Sequence, residues 1–225
     1  MAELSKGLEV VAEFPQGLRI ERLVTSGLFE LDGGSWEVDN NVWLVGNDEE
    51  VVVIDPAHDA EAILAAVGDR ELLMVVATHG HNDHVNAAVE VAAEKEAEIG
   101  LHPKDSMLWA EEYGADLRWD VDLADQGAIT VADLDLTILH TPGHSPGAVC
   151  LHAADIDVVF TGDTLFKGGP GATGRKYSDF DLILRSIRRK LLPLAPETRV
   201  LTGHGDETTI GAEAPDYDEW VARGH

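Results

Sequence analysis

Seven consecutive residues, Thr78-His79-Gly80-His81-Asn82-Asp83-His84, follow directly on an apolar run at 72–77. The run reads as a buried strand, and the Ala- and Glu-rich stretch 84–98 after it reads as a helix. The seven residues therefore sit where a strand ends and a helix begins. In extended backbone, side chains at i, i+2 and i+4 point the same way. His79, His81 and Asp83 then converge on one side, and His84, opening the helix, swings toward the same place. Imidazoles and a carboxylate packed this densely suit zinc, and suit iron or manganese almost as well. A polar surface loop, the competing reading, does not account for so many ligand-type residues in so short a segment.

One cluster rarely completes a catalytic site, so further donors are expected at other strand ends. Three fit. His144 lies in Thr-Pro-Gly-His-Ser-Pro-Gly between two expected strands, Asp163 in Phe-Thr-Gly-Asp-Thr after a strand, and His204 in Leu-Thr-Gly-His-Gly-Asp after another. Each is preceded by a glycine, which lets backbone crowd close to a ligand site. Asp55, leaving the run at 51–54, is either a partner that orients a ligand imidazole or a structural cap. His58, His102, His140 and His152 lack comparable settings and read as structural or surface residues; His225 is terminal.

Around these positions, short Val/Ile/Leu-rich runs alternate with helical patterns. Strands are expected at 41–45 and 51–54, joined by a turn at 46–50, and at 72–77, 99–102, 148–152, 157–160 and 199–201. A run of alternating apolar residues spans 128–139, and helices are expected at 59–67, 84–98, 105–113 and 180–192. No linker divides the two β-rich halves. The expectation is a single α/β domain over residues 1–225, with two sheets packed face to face and helices outside.

Acidic residues number 42 against 16 basic, a net charge of −26. Such a surface repels phosphate backbones, so nucleic acid is not expected as a partner. Apolar runs are too short to span a bilayer, and the first residues lack a basic-then-apolar leader. A cytoplasmic protein without a membrane partner is expected. The single Cys150 lies among Ala148, Val149 and Leu151 and reads as a core residue rather than a nucleophile.

The His-x-His-x-Asp-His pattern with the later His144, Asp163 and His204 resembles the metallo-β-lactamase superfamily, in spacing and order, over roughly residues 18–211. The resemblance implies an αββα sandwich of two mixed sheets with helices on the outer faces, and a two-metal site at one edge. It implies that His79, His81 and His144 hold one divalent ion, that Asp83, His84 and His204 hold a second, and that Asp163 bridges them. Zinc is the first choice of metal, with iron or manganese open. Within the superfamily, Gly-Asp-Thr-Leu-Phe at 162–166 and Thr-Gly-His-Gly-Asp-Glu-Thr-Thr-Ile-Gly at 202–211 resemble the glyoxalase II group, particularly its short bacterial members. The bridging aspartate argues against antibiotic hydrolysis. Few residues follow His204, so the helical domain with which full-length glyoxalase II grips glutathione is not expected. The loop 167–175 is also longer than usual and resembles actinobacterial members that use mycothiol.

The implied activity is hydrolysis of a small-thiol thioester, of hydroxyacyl-glutathione or acyl-mycothiol type. Two metals about 3.5–4 Å apart can share a hydroxide near neutral pH, with Asp83 orienting its proton. Basic and aromatic residues after Asp163 (Lys167, Arg175, Lys176 and Tyr177) are candidates to meet a carboxylate of the thiol conjugate, although Arg175 could equally pin the loop. The alternative within the superfamily is a persulfide dioxygenase using one iron on His79, His144 and Asp163. A third reading is a non-catalytic, metal-stabilised module. Oligomeric state is left open.

Overall fold

A computed structural model describes residues 7–224; residues 1–6 and His225 lie outside the described part. The first sheet runs in chain order: β1 (Leu8–Glu13), β2 (Arg19–Leu31), β3 (Gly34–Gly46), β4 (Glu50–Ile54), β5 (Glu71–Val76), β6 (Glu98–Leu101) and β7 (Val121–Asp122). β1 to β4 form an antiparallel meander, and β4 to β7 are parallel. Parallel neighbours need crossovers. α1 (Ala60–Val67), α2 (Asn82–Val85) with α3 (Ala88–Lys95), and α4 (Ser106–Tyr113) supply them.

The second sheet holds β8 (Ala128–Val131), β9 (Leu134–His140), β10 (Val149–Ala153) and β11 (Val158–Gly162). After a small β12–β13 ribbon (Leu165–Phe166, Gly169–Pro170) and α5 (Phe180–Ser186), β14 (Arg199–Thr202) and β15 (Thr208–Thr209) complete it. Its order is β15-β14-β11-β10-β9-β8, and only β11 and β14 pair in parallel. α6 (Ile210–Glu213) and α7 (Tyr217–Arg223) close the described chain.

Central strands are apolar on both faces because each face meets a different layer. Trp43, Val45, Val52 and Ile54 join Leu136, Val149, Leu151, Phe160 and Leu201 between the sheets. Their sequence neighbours Val42, Leu44, Val51 and Val53 point the other way, onto Ile63, Val67, Val91 and Trp109 of the helical layer. The second sheet does the same, with Cys150, Val159 and Val200 packing on Ile183, Ile187, Leu191 and Trp220. Period-two alternation with no polar face is what a strand buried on both sides requires. The four-layer αββα sandwich expected from the sequence is the observed fold. Among the described residues, no helix is long and apolar enough to cross a membrane.

Several elements differ from expectation. The strand expected at 41–45 is the inner end of a thirteen-residue strand, paired along its length with β2, for which no strand was expected. The turn between them places Asp32 (φ 52) and Gly33 (φ 78) in the left-handed region, the geometry that matches hairpin twist. The run of alternating apolar residues at 128–139 folds as a hairpin, turning at Ala132 (φ 49) and Asp133 (φ 61). The helix expected over 84–98 is broken: α2 ends at Val85 and α3 starts at Ala88. Asn86 there turns its side-chain oxygen to the His58 N–H, and the Ala87 N–H donates to Pro56 O. The helix expected over 180–192 widens after Ser186 into a π turn over Ile187–Leu191.

Candidate metal centre

β5 delivers the chain to the edge of the first sheet, and a buried carboxylate fixes where it goes next. Asp55 accepts hydrogen bonds from Thr78 N (2.7 Å) and Thr78 Oγ1 (2.8 Å). Thr78 O in turn accepts from Val149 N of the second sheet (2.8 Å), which ties the sheets together at this point. The chain bends at Thr78 and His79, and His81 stands extended just before α2 with φ −64, ψ 145. Asp83 and His84 then lie in α2 itself. Asp83 therefore reaches the centre from a first helical turn, not by the strand alternation expected from the sequence.

The distant donors arrive as expected, and their glycines explain how. A Cβ on Gly203 would sit 2.4 Å from Asp163 Oδ1 and 2.8 Å from His84 Cε1. One on Gly162, which has φ +46, would sit 2.2 Å from Thr78 Oγ1. Any larger residue at either place would push the ligand loops apart.

All seven expected donors meet. His79 Nε2 and His144 Nε2 lie 2.9 and 3.0 Å from His81 Nδ1. His84 Nε2 lies 3.2 Å from His204 Nε2, and Asp83 Oδ2 lies 3.6 and 3.4 Å from those two nitrogens. Asp163 stands between the sets. Its Oδ2 is 3.5 Å from both His144 Nε2 and His204 Nε2, and its Oδ1 is 3.4 Å from His84 Nε2. His79, His81 and His144 form one metal-sized group and Asp83, His84 and His204 another; Asp163 also groups with His79 and His84.

The hydrogen bonds behind the rings show that these atoms fit cations. His144 Nδ1 donates to Ala172 O (2.8 Å) and His204 Nδ1 to Asp39 O (2.7 Å). A carbonyl can only accept, so in both rings Nδ1 carries a proton and Nε2 is turned inward, where it faces a cation or a second proton. His84 Nδ1 is held by Asp55 Oδ2 at 3.0 Å, so its Nε2 also faces inward, toward His204 Nε2. Inward lone pairs repel unless a positive charge lies among them. Their spacing is close to the about 3.3 Å between nitrogens around a tetrahedral ion with bonds of about 2.0 Å. Asp163 Oδ1 is buried with no hydrogen-bond partner, aimed into the same space.

Charge divides the two groups. Burial and the facing His144 ring push His81 down to about 3, and burial with its neighbouring rings holds His79 well below the usual histidine range. These are neutral donors. His84 is equally buried, but Asp163, Asp83 and Asp55 outweigh burial and raise it to about 9. His204 is raised to about 11 against its burial by Asp163 and Asp83. Against their own burial, the rings hold Asp83 down to about 2 and Asp163 well below the carboxylate range. Protons here occupy the positions that a cation's charge would fill.

Asp55 thus holds the ring of His84 as well as Thr78. Three other supports were not read from the sequence. Asp105, fully buried, accepts from Gly80 N (2.9 Å) and Ser145 Oγ (2.6 Å) through Oδ2 and from Gly147 N (2.5 Å) through Oδ1. It clamps the His79–His81 loop to the His144 loop. Asn40 donates to Asp83 O (2.8 Å) and Asp83 Oδ2 (3.2 Å), and meets His58 Nε2 at 3.0 Å. Asn82 accepts from Glu30 N and donates to Leu28 O, both at 2.9 Å, binding β2 to α2. His102 and His140 stack on each other at 4.1 Å, apart from the centre.

A cavity of about 250 Å³ opens over the donors, walled by Phe29, Val38, Phe166, Ala172 and Arg175. Of the loop residues singled out from the sequence, only Arg175 reaches it. Lys167 pairs with Asp206 (3.0 Å) and Lys176 with Glu111 (2.7 Å). Tyr177 is exposed, its ring against Lys176.

The chain is similar to known proteins in sequence and in fold. The chain is 37% identical over 189 residues to hydroxyacylglutathione hydrolase GloC of Haemophilus influenzae, covering 77% of this chain and 89% of that one. The structure of TTHA1623 in a di-iron-bound form matches with a TM-score of 0.68 and 34% identity, over 79% of this chain and 93% of that one. BLEG-1 B3 metallo-β-lactamase matches with a TM-score of 0.72 and 30% identity, over 88% and 100%. The family model of the metallo-β-lactamase superfamily matches residues 36–204, from the hairpin over the cavity to the last imidazole of the centre, and the chain belongs to that superfamily.

Proposed function

We propose that this chain hydrolyses thioesters of small thiols at two divalent metal ions, one on His79, His81 and His144 and one on Asp83, His84 and His204, with Asp163 shared. The observation that carries the reading is Asp163, which faces nitrogens of both groups at 3.4–3.5 Å. The hydroxyacylglutathione hydrolase relative supports the thioester as substrate class. Bound ions would lower the proton affinity of water and polarise the thioester carbonyl. The chain's own residues do the rest. Asp83, ionised and held by Asn40, would accept a hydrogen bond from the attacking water and orient its proton. Phe29, Val38 and Phe166 line the cavity with apolar surface against which an acyl group would pack. A thiolate leaves without protonation, so no general acid is required on the leaving-group side.

Metal analysis of the purified chain, paired with a panel of glutathione and mycothiol thioesters, tests this. Two ions per chain, with thiol release abolished by chelation and by Asp163→Ala, is the expected result. Failure of the fully loaded protein to turn over any ester of the panel would sink it. A persulfide dioxygenase would instead hold one iron on His79, His144 and Asp163. The complete second group, Asp83 with His84 and His204, favours hydrolysis, and one iron with persulfide-dependent oxygen uptake would reverse that preference.

A further inference from the structure

Arg175 carries a charge that no described residue neutralises. Its guanidinium lies over the rings of Trp36 (4.2 Å) and Phe29 (5.0 Å). Among the described residues it makes no ion pair, in a chain with 42 acidic residues. Its neighbours Lys167 and Lys176 are both paired with carboxylates outside the cavity. Phe29 also meets the ring of His81 edge-on at 5.3 Å, so one aromatic ring separates the cation from a donor of the metal centre.

We propose that Arg175 determines specificity, selecting thiol conjugates that bear a carboxylate close to the thioester, with Trp36 and Phe29 holding its guanidinium at the cavity mouth. The proposal rests on the thioester reading above. Stacking occupies the face of a guanidinium and leaves its N–H edges free in the plane. Those edges form the fork that grips a carboxylate through two parallel hydrogen bonds. A net charge of −26 repels anionic substrates, so a site that acts on them needs a local cation its own surface does not quench. Trp36, 43% exposed, is explained as the platform for that cation.

Loop pinning does not require the guanidinium. The turn at Arg175 is closed by its own N–H to Ser178 Oγ (3.0 Å) and by Ser178 Oγ to Arg175 O (2.7 Å), and the Asp179 N–H binds Gly143 O (2.7 Å).

The test uses the metal-loaded chain and two matched substrates, the lactoyl thioesters of N-acetylcysteine and of N-acetylcysteinamide, which differ only in a carboxylate against a carboxamide. Wild type is expected to prefer the acid by about 10- to 100-fold in kcat/KM, the size of a charge-assisted hydrogen-bond pair, and to do so through KM. Arg175→Gln should bring that ratio near one, Arg175→Lys should restore little of it, and Trp36→Leu should reduce it. Calorimetric titration with the non-hydrolysable S-alkyl thioethers of both thiols reads the same preference without turnover. Equal hydrolysis of both esters by wild type overturns the proposal and leaves the thioester reading standing. So does an Arg175→Gln variant that slows both esters by one factor, the signature of a loop pin. Arg175-dependent binding of the acid thioether, with neither ester hydrolysed, would keep the anion site and remove the thioester reading.

Discussion

At the scale of single residues, the centre depends on buried carboxylates that touch no metal position. Asp55 holds Thr78 and His84; Asp105 holds Gly80, Ser145 and Gly147. Asp105→Asn would turn an amide N–H₂ toward one of these donors, and each buried donor left unmet costs about 1–3 kcal/mol. The variant should bind metal about 10–100-fold more weakly at the His79, His81 and His144 group, while the group held by Asp55 is affected less. Competition with a chromophoric chelator measures both affinities, and equal affinities in variant and wild type would remove Asp105 from this role. Asp55 stands out in the sequence because it ends an apolar run, whereas Asp105 hides at the start of a helix and shows its use only once two loops fold onto it.

His102 offers a residue-scale test of pH. Burial, the stacked His140 and Lys104 push it down to about 4. Its folded pKa is below the unfolded value of about 6.5, so the unfolded chain takes up the proton first. Stability should therefore fall as pH drops from about 6.5 toward about 4. Denaturant melts at pH 7 and pH 5 should show a smaller loss for His102→Asn, which keeps a side-chain acceptor for the Lys104 N–H but does not titrate. An identical loss in both proteins would assign the pH dependence to other groups.

At the scale of elements, the β2–β3 extension matters most. It brings Phe29, Trp36, Val38 and Asn40 over the centre, and none of these was expected to contribute. Its outer residues, Ser26, Gly27, Glu30 and Ser35 among them, give neither an apolar face nor a helical period. The strand is held instead by cross-strand pairing with β3 and by Asn82. Asn82→Ala removes that clamp on β2. The expected outcome is a KM several-fold higher, with a smaller fall in kcat, in steady-state assays on the preferred thioester. A fall in kcat alone would mean that the hairpin does not position substrate.

At the scale of the whole molecule, the sandwich should outlast the metal. Apolar layers on both sides of each sheet form without any donor residue. Without bound ions the centre crowds imidazoles and carboxylates with only protons to offset their charge, so chelation should lower the melting temperature while circular dichroism at 25 °C keeps its αβ signature. The loss should approach the linkage value, about 2.7 kcal/mol for one ion at a hundred times its Kd. Complete unfolding on chelation would show that the layers alone do not sustain the fold.

The layers and the candidate donors are legible along the chain. Strand alternation is a local property, and the candidate donors either cluster at 79–84 or stand beside a glycine that marks close backbone approach, so both are written within a few positions. Their surroundings arise only on folding. Asp105, Asn40 and the Arg175–Trp36–Phe29 stack join segments from 25 to more than 100 positions apart. No local period encodes such contacts; they exist only where sheet pairing and loop closure bring the segments to one edge of the sandwich.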